Sequence, residues 1–548
     1  MIHEDGELNG NAAENSSAKR IDTEVLIIGA GPTGLMMACQ LLRFGVSFRT
    51  LDKQKDRALE SRAFAIQAKS MEIFQNLGLS SEFLKVARTG IDFAFFINEK
   101  KQAAISFAKF PQQNTPFPSI YFLPQTETER ILIEFLEKKN IFIEREKELV
   151  TFSQDKNTVN VKIKNCLTGE IQEICCAYIV GCDGAHSTVP HTLNFSFEGA
   201  AYKQSFILAD ATIEWRFSSD KFLFFLRKHG IFVHIPLTKT FSRIMLARRA
   251  DPSSQGKLST PSITEIEIAA HNITQTPVKL INPIWLSQFY LHHRGVQTYC
   301  QKRAFLAGDA AHIHSPVGGQ GMNTGIQDAT NLAWKLALVL KKRTSKQLLM
   351  SYETERHRIG KILLKTTDRF FSFMTAKNYL VSLLRNLFLP FFIRFVFAKK
   401  HAEQRLFWFM SQLNIHYHSN EFIYEITKNA NTAFKKGPHA GYRAPDAPIN
   451  ASSLFSMLRD KPFHLLLFQR GKTQQADLEN LKLLAYSYAD WVHIHPFQAS
   501  PDNEVLFQRY GVTSAAIYII RPDGYIGFRA YGYDLTAANN YLKRLFGK

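Results

Sequence analysis

A strand, a glycine-rich turn and a helix open the folded part of this chain, and no other segment constrains the fold as strongly. The run Thr23–Ile28 is rich in β-branched residues, and an apolar stretch from Leu35 to Phe44 follows the turn. Val46–Leu51 has the composition of a further strand. A strand that returns through a helix to a neighbouring strand builds a parallel sheet, so the sequence predicts an α/β fold.

The turn carries the pattern Gly29-x-Gly31-x-x-Gly34, and each glycine has its own steric reason. Gly29 permits a tight turn, Gly31 lets a pyrophosphate approach the backbone, and Gly34 allows the helix to pack closely on the strand. Asp52 stands at the end of the second strand, 18 residues after Gly34, where its carboxylate can bind the ribose of an adenosine. The unit therefore predicts a Rossmann-like domain that binds a dinucleotide.

A second glycine-rich segment, Leu306–Asp328, begins as an apolar strand that ends at Gly308 and Asp309. A loop with three glycines between positions 318 and 321 then leads into a long helix that begins near Asn323. A carboxylate at a strand end can accept hydrogen bonds from a polyol, and a bare helix N-terminus offers N–H groups to an electron-rich atom. A flavin needs both, for its ribityl hydroxyls and for the N1/C2 edge that becomes anionic on reduction.

A third segment, Ala177–Ser187, again runs from a strand into an Asp-Gly pair, Asp183 and Gly184. The three segments, in this order, resemble the FAD-dependent aromatic hydroxylases, the single-component monooxygenases related to p-hydroxybenzoate hydroxylase. The resemblance covers most of residues 21 to 370, and it includes the shorter segments Ser61–Ala63, Met71–Gly78, Leu123–Glu127 and Ser351–Arg356.

One position departs from the pattern of that family. The family follows Asp-Gly with Ser-x-Val-Arg, whereas this chain has Pro190 in place of the arginine. The change removes a positive charge that could serve the helix of the motif or the nicotinamide cofactor. It bears on the mode of flavin reduction and leaves the predicted fold unchanged.

The resemblance implies a mechanism and a set of cofactors. NAD(P)H reduces FAD, O₂ adds to the reduced flavin at C4a, and the hydroperoxide hydroxylates a phenolic or polycyclic aromatic small molecule. The chain has one complete GxGxxG pattern, so NAD(P)H is expected to dock transiently on the FAD domain. The residues expected to bind the cofactor are Gly29, Gly31, Pro32, Thr33, Gly34, Asp52, Lys53, Arg62, Gln125, Asp183, Gly308, Asp309, Pro316, Gly319, Gly321, Met322 and Asn323.

The resemblance also implies separate roles within that set. Asp52 would bind the ribose of the AMP half, Arg62 and Gln125 the pyrophosphate and ribityl region, and Asp309 the ribityl chain. Backbone groups of Pro316 and of residues 321–323 would line the isoalloxazine.

The catalytic residues stay open at this point. A phenol reacts better as phenolate, so a general base would help. The candidates are His292, His293, His312 and His314, and each could equally be a structural histidine. The sequence does not choose among them.

The pattern along the chain divides it into five parts. We expect a disordered tail over 1–20, an FAD-binding domain over 21–198 with 296–370, and an inserted antiparallel-sheet substrate domain over 199–295. A helical interface segment follows over 371–434, and residues 435–548 resemble the thioredoxin-like appendage of phenol and polyketide hydroxylases. No cysteine follows Cys300, so this last domain cannot run dithiol chemistry and is expected to be structural or to support a homodimer.

The composition of the chain limits the kinds of partner and compartment to be expected. The net charge is +19, but the basic residues are spread along the chain without a nucleic-acid motif, so we expect no nucleic acid. The N-terminal residues lack an apolar run and the six cysteines show no metal or disulfide spacing, which favours a cytoplasmic protein. The apolar stretch Tyr379–Phe397 is interrupted by Arg385, Pro390 and Arg394, which argues against a membrane span. A buried or subunit-interface helix pair is favoured there over a surface that touches lipid.

Three other functions compete with an aromatic hydroxylase. A flavin-dependent halogenase shares the scaffold but needs a Trp-x-Trp-x-Ile-Pro motif, which this sequence lacks. A non-hydroxylating flavin-binding or membrane-binding protein would have lost the redox site, whereas all three segments are intact. A monooxygenase of a membrane-associated quinone precursor is the less favoured alternative within the same family.

Overall fold

A computed structural model describes the chain over residues 20–57, 63–98, 100–106, 114–227, 230–249, 261–314, 318–374, 384–385, 387–391, 395, 404, 407–459, 461–470 and 475–547. Within these ranges the strands, numbered in chain order, are β1 Thr23–Ile28, β2 Phe48–Leu51, β3 Ala65–Ile66, β4 Asp92–Ile97, β5 Lys100–Ser106, β6 Tyr121–Phe122, β7 Lys147–Gln154, β8 Val159–Asn165, β9 Ile171–Gly181, β10 Phe197–Glu214, β11 Phe222–Arg227, β12 Gly230–Pro236, β13 Ser242–Arg249, β14 Lys279–Val296, β15 Cys300–Gln301, β16 Ala304–Leu306, β17 His312–Ile313, β18 Tyr424–Ile426, β19 Pro448–Ile449, β20 Ser452–Ser453, β21 Phe463–Gln469, β22 Val492–Gln498, β23 Ala515–Ile520 and β24 Ile526–Tyr531. The α-helices that lie wholly within these ranges include α1 Pro32–Arg43, α2 Ala68–Asn76, α3 Ser80–Val86, α4 Gln125–Glu137, α5 Thr188–Thr192, α6 Ile263–Thr274, α7 Gly321–Leu340, α8 Gln347–Tyr352, α9 Arg358–Met374, α10 Thr432–Lys436, α11 Leu454–Met457, α12 Gln475–Ser487, α13 Glu504–Tyr510 and α14 Leu535–Phe546.

The first sheet contains the predicted strand–helix–strand unit. Its order is β15-β16-β9-β1-β2, with β8 and β7 added beside β9, and β1 pairs in parallel with both β2 and β9. Helix α1 begins at Pro32, three residues before the predicted start, because a proline at the first helical position has its φ already set and needs no N–H partner. The prediction of a parallel α/β unit is confirmed.

The second sheet has eight strands in the order β17-β14-β10-β13-β12-β11-β4-β5. The antiparallel pairs predicted between residues 199 and 295 are present, and β10 pairs with β14 over nearly its full length. The sheet also takes in β4 and β5, which lie within the range predicted for the FAD-binding domain, because β4 pairs in parallel with β11. Helix α6 covers one face of this sheet, and the other face is turned toward the core of the first sheet.

The third sheet, near the C-terminus, has the order β18-β24-β23-β21-β22. β21 and β22 are parallel, whereas β23 pairs antiparallel with both β21 and β24. Helix α12 lies between β21 and β22 in the chain, α13 lies between β22 and β23, and α14 follows β24. β18 comes from the segment 371–434, which was predicted to be helical.

A buried ionic cluster joins α7 to the third sheet. Glu355 lies in a π-helical turn between α8 and α9, and its carboxylate accepts hydrogen bonds from Lys335 Nζ at 2.9 Å and from both terminal nitrogens of Arg521 at 2.8 and 2.9 Å. Asn331 donates to both Glu355 and Asp523. Burial alone raises the pKa of Glu355, but Arg521 and Lys335 outweigh it and lower that pKa below its ordinary value. The C-terminal unit is therefore fastened to the nucleotide-binding part by paired charges.

The apolar stretch near residue 390 is described only in part. Residues 384–385, 387–391 and 395 are helical. Their apolar side chains are largely exposed at Leu384, Leu387, Phe388, Phe391 and Phe395, so the buried alternative predicted for this stretch is wrong at those positions. Across the described part of the chain, no helix combines the length and apolar character needed to cross a membrane.

Candidate flavin-binding site

The three glycine-containing segments meet at one edge of the first sheet. Ile28 of β1 and Leu306 of β16 are each in register with Gly181 of β9. Because these strands are parallel, the residues that follow them emerge side by side. Helices α1 and α7 also approach each other here, since a Cβ built on Gly325 of α7 would collide with Thr33 Oγ1 of α1, and one built on Gly308 would lie 2.5 Å from the same atom.

Each glycine of the first turn has a distinct environment. Gly29 has a φ of +99°, and a Cβ added there would lie 2.5 Å from the carbonyl oxygen of Cys182. A Cβ on Gly34 would lie 1.9 Å from the carbonyl oxygen of Gly29. A Cβ on Gly31 would meet no described atom within 4 Å. The first and third glycines are thus required by the packing, whereas the space beside Gly31 is open to a ligand.

The N-terminus of α1 faces this open space, and none of the described side chains caps it. Gly31 is the N-cap, Pro32 is the first helical residue, and neither a capping side-chain hydrogen bond nor an acidic residue occupies the first turn. The N–H groups there, together with the helix dipole, suit a negatively charged group. This arrangement fits the pyrophosphate of FAD.

Asp52 supports the turn as well as facing the site. Its Oδ2 accepts a hydrogen bond from Ala30 N at 2.7 Å and its Oδ1 accepts one from Gln54 N at 2.8 Å. Arg145 Nη1 lies 3.8 Å from Oδ2. A carboxylate oxygen can accept more than one hydrogen bond, so a ribose hydroxyl can still bind while Asp52 holds the glycine turn.

Asp183 is engaged with its own segment. Its carboxylate accepts hydrogen bonds from the Ser187 hydroxyl and from Thr188 N, the latter at 2.9 Å, at the start of α5. Burial raises the pKa of Asp183 above its ordinary value, although these two bonds and the charge of exposed Lys53 act against it. Pro190, the departure from the family pattern, lies buried inside this short helix.

The second glycine loop leads into α7, which begins at Gly321, two residues before the predicted start. Gly318 and Gly319 have φ values of +80° and +61°, so both occupy the left-handed region that favours glycine. Gln320 at the N-cap makes no side-chain capping bond, and the first turn holds no acidic residue. The N–H groups of this turn therefore suit the electron-rich edge of a flavin, and Met322 lies half-buried beside them.

Asn323 has a structural role that the sequence reasoning missed. Its Nδ2 donates to the carbonyl oxygens of Ala65 and Gly319 at 2.9 and 2.8 Å, and its Oδ1 accepts from Gln67 N at 2.9 Å. Gln67 Nε2 in turn donates to the carbonyl oxygen of Gly318 at 3.0 Å. These bonds hold the glycine loop against β3, and the backbone of residues 321–323 stays available for the isoalloxazine.

Asp328 is the second residue that sequence reasoning missed. It is fully buried, and its carboxylate accepts hydrogen bonds from Arg356 Nε and His312 Nε2, both at 2.7 Å, and from Gly308 N at 3.1 Å. Burial alone raises the pKa of Asp328, but Arg356 and His312 outweigh it and lower that pKa below its ordinary value. The available signal was a lone carboxylate followed by a largely apolar helix.

The four candidate histidines now differ in their surroundings. His312 uses both ring nitrogens, one on Asp328 and the other on His314 Nε2 at 2.6 Å. Burial and the neighbouring His312 lower the pKa of His314 well below its ordinary value, and its Nδ1 is buried without a described hydrogen-bond partner. His293 Nδ1 lies 3.6 Å from Asp368. The side chain of His292 lies outside the described residues.

The remaining predicted site residues fall into two groups. Asp309 is exposed at the strand edge, and Gln125 begins α4, where its Nε2 donates to Glu129 at 2.9 Å and its backbone N to Ala63 O at 3.0 Å. Arg62 and Pro316 lie outside the described residues.

Comparison with known proteins agrees with this geometry. A family profile described as an FAD binding domain matches residues 22–367. The chain belongs to this FAD-binding family. The resemblance drawn from the three segments is thereby confirmed, and FAD is the cofactor of the family.

The relatives of this FAD-binding chain extend over almost its whole length. It is 29% identical to 6-methylpretetramide 4-monooxygenase of Streptomyces rimosus, over 95% of this chain and 93% of that protein. It is 28% identical to pentachlorophenol 4-monooxygenase of Sphingobium chlorophenolicum, over 94% and 95% of the two chains. The solved structure of OxyS anhydrotetracycline hydroxylase from Streptomyces rimosus matches 96% of this chain and 99% of its own, with 25% identity and a TM-score of 0.73. The mixed helix-and-sheet fold is that of FAD-binding aromatic hydroxylases.

Proposed function

We propose that this protein is an FAD-dependent monooxygenase that uses NAD(P)H and O₂ to hydroxylate an aromatic small molecule, phenolic or polycyclic. The observation that carries the proposal is an apolar strip on the second sheet, on the face turned toward the nucleotide-binding core. Bound FAD, once reduced, supplies the activation of O₂, and the protein supplies the position, the dryness and the proton transfers.

The strip crosses five neighbouring strands in register. Phe95 pairs with Phe224, Phe224 with Val233, Val233 with Met245, and Met245 with Leu208. Residues directly opposite each other in a sheet project to the same face, and the rings of Phe95 and Phe224 are 5.9 Å apart. Four of these side chains are only half-buried, and Leu208 is buried.

The partial burial of the strip is local. Phe93 and Ile235 lie on the same face, two positions from the strip along their strands, and they belong to the core shared with the first sheet. Ile97 and Ile231 lie two positions from the strip in the opposite direction, and they belong to a separate buried cluster. The strip therefore lies between two packed regions, and its apolar side chains contact them without all being fully buried. An aromatic ring is the kind of ligand that such an apolar surface favours.

His314 is our proposed acceptor of the substrate's phenolic proton. When His312 is neutral with its Nε2–H on Asp328, its Nδ1 accepts from His314 Nε2–H, and His314 Nδ1 is left as a buried acceptor. A neutral imidazole within reach of a phenol can take its proton. Asp328 and Arg356 would hold this pair of rings in place.

For residues 435–548 we propose a thioredoxin-like structural domain. In support, β21 and β22 are parallel neighbours with α12 between them in the chain, and β23 and β24 follow as an antiparallel pair before α14. The absence of cysteine after Cys300 and the buried link from Arg521 to Glu355 support a structural role. A homodimer through this domain remains part of the proposal.

The proposal is tested by NAD(P)H oxidation with the FAD-loaded protein, under air, against a panel of phenols and polycyclic aromatics, with hydrogen peroxide quantified. We expect one compound to accelerate oxidation and to yield a product heavier by one oxygen, with little peroxide. Phe224→Ala is expected to raise the KM for that compound about tenfold or more, while Ile284→Ala, on an exposed position of the same sheet, leaves it unchanged. If no compound accelerates oxidation, or if peroxide accounts for all of it, the monooxygenase assignment fails.

A further inference from the structure

The helical residues between 384 and 395 present an apolar stripe to solvent. Leu384, Leu387, Phe388, Phe391 and Phe395 recur at helical spacing and are 46–67% exposed. Positions three, four and seven apart lie on one side of a helix. A run of large apolar side chains facing outward is unusual on a protein surface and marks an interaction site.

Two other described helical residues of this stretch are held against the protein. Arg385 and Leu389, four residues apart, are buried and half-buried respectively. Leu389 packs on the cluster that contains Phe206 and Phe371, so the stripe shares its support with the end of α9. The orientation is therefore set by packing, with the cation turned inward and the apolar side chains turned outward.

The sequence on both sides of the stripe carries a strong excess of positive charge. Between residues 358 and 405 the sequence has ten lysine and arginine residues and two acidic residues, a local excess of eight positive charges out of +19 for the whole chain. On α9, Lys361, Lys365 and Arg369 are exposed at spacings of four residues, with Ile362 and Phe373 exposed among them. Basic residues beside exposed apolar side chains are characteristic of surfaces that lie on anionic lipid.

We propose that this face, formed by the 384–395 stripe and the basic side of α9, docks on an anionic membrane surface. The apolar side chains would enter the headgroup boundary, and the basic residues would contact the lipid charges. A second copy of the chain fits less well, because a symmetric contact would place two strongly positive surfaces against each other. The proposal is independent of the reaction catalysed.

The test is co-sedimentation of the full-length, FAD-loaded protein with vesicles of phosphatidylcholine alone and of phosphatidylcholine with 30% phosphatidylglycerol. We expect the protein to bind the anionic vesicles, with an affinity that falls as the salt concentration is raised. Its affinity for the neutral vesicles should be at least about tenfold lower. Phe388→Ser with Phe391→Ser is expected to weaken binding at least tenfold. The matched control is Leu483→Ser with Tyr486→Ser, two exposed apolar residues on α12, which should bind like the wild type.

Lys361→Gln with Lys365→Gln provides a second variant that does not touch the stripe, and it should also weaken anionic binding about tenfold. FAD absorbance and circular dichroism establish that each variant is folded. Failure of the wild type to bind anionic vesicles at about 0.1 M salt would overturn the proposal, as would equal binding to neutral vesicles. A dimer in light scattering that Phe388→Ser with Phe391→Ser converts to a monomer, without vesicle binding by the wild type, would assign the face to a second copy.

Discussion

Gly31→Ala separates the cofactor site from the fold, because the two neighbouring glycines are required by packing and this one is not. The added methyl group would meet no described atom within 4 Å, whereas the same group on Gly34 would lie 1.9 Å from a backbone oxygen. If FAD places its pyrophosphate at the N-terminus of α1, the methyl group of Gly31→Ala must displace it.

The expected magnitudes follow from the local conformation. Gly31 has φ −75° and ψ −178°, a region that alanine adopts freely. Replacing glycine by alanine reduces the flexibility of the unfolded chain, which stabilises the folded protein by about 0.4–1 kcal/mol. Alanine is a poorer N-cap than glycine, which costs a similar amount. The free energy of unfolding of the apoprotein should therefore change by less than about 1 kcal/mol. One lost hydrogen bond to a charged phosphate costs about 1.5–3 kcal/mol, which weakens FAD binding roughly ten- to hundredfold.

The assay pairs two measurements on wild type, Gly31→Ala and Gly34→Ala. Denaturant unfolding of the apoproteins reports the free energy of unfolding, and quenching of flavin fluorescence on titration reports the Kd for FAD. We expect Gly31→Ala to change only the Kd and Gly34→Ala to lower the stability by several kcal/mol, since its clash is with backbone and cannot be relieved by a side-chain rotation.

Two results would refute this reasoning. A Kd for Gly31→Ala within twofold of the wild type would mean that the pyrophosphate does not approach this residue. A loss of apoprotein stability as large as that of Gly34→Ala would mean that the space beside Gly31 is not open.

Three further predictions follow from buried groups. Arg521→Met leaves Glu355 partly uncompensated and should lower the free energy of unfolding by about 3–5 kcal/mol in denaturant, while Arg470→Met, which breaks a partly exposed pair with Glu504, should cost less than about 1 kcal/mol. Burial lowers the pKa of His234 from 6.5 to about 4, so the unfolded chain binds more protons in that window. The free energy of unfolding should therefore fall by about 3 kcal/mol in total as the pH falls from 6.5 to 4. In His234→Gln the midpoint of denaturant unfolding should fall less over the same pH range. An identical pH profile for wild type and variant would contradict the lowered pKa of His234. His314→Gln should lower kcat/KM for a phenolic substrate about hundredfold at pH 7 and recover part of it at pH values where the substrate is already phenolate, with the Kd for FAD unchanged; a uniform loss at every pH would remove His314 as the proton acceptor.

Local patterns in the sequence were sufficient for the nucleotide-binding edge. The strand and the glycines of the first turn form a local pattern, because the positive φ of Gly29 and the close approach of Gly34 to Gly29 involve only a few consecutive residues. The contact of Gly29 with Cys182 depends on the fold. The C-terminal strand β21 is likewise a short run of largely apolar residues, six of its seven residues being buried. Predictions of this kind depend on neighbours in the chain and carry over to the structure within a few residues.

Local sequence patterns do not predict contacts between residues that are distant in the chain. In the sequence, Asp328 is a single carboxylate in a largely apolar helix, and Arg356 is a single charge in a different helical segment. Only the fold brings Arg356 Nε to 2.7 Å from Asp328 Oδ1. The apolar strip from Phe95 to Leu208 depends on the registers of five strands, and β4 comes from a part of the sequence assigned to a different domain. For the apolar stretch Tyr379–Phe397 the sequence favoured a buried or subunit-interface helix pair. The exposure of Phe388 and Phe391 could not be predicted, because hydrophobicity alone does not say which side of a helix meets the core.

The sequence by itself determined that this chain builds a strand–helix–strand unit with a glycine-rich turn and that it resembles the FAD-dependent aromatic hydroxylases, because these features lie within short stretches of residues. The tertiary structure alone decided which side chains are paired in the interior and which apolar residues of the second sheet are only half-buried. It also decided which apolar residues remain at the surface. Those properties come from residues far apart in the chain, whose burial and charge acquire meaning only when the sheets and helices pack together.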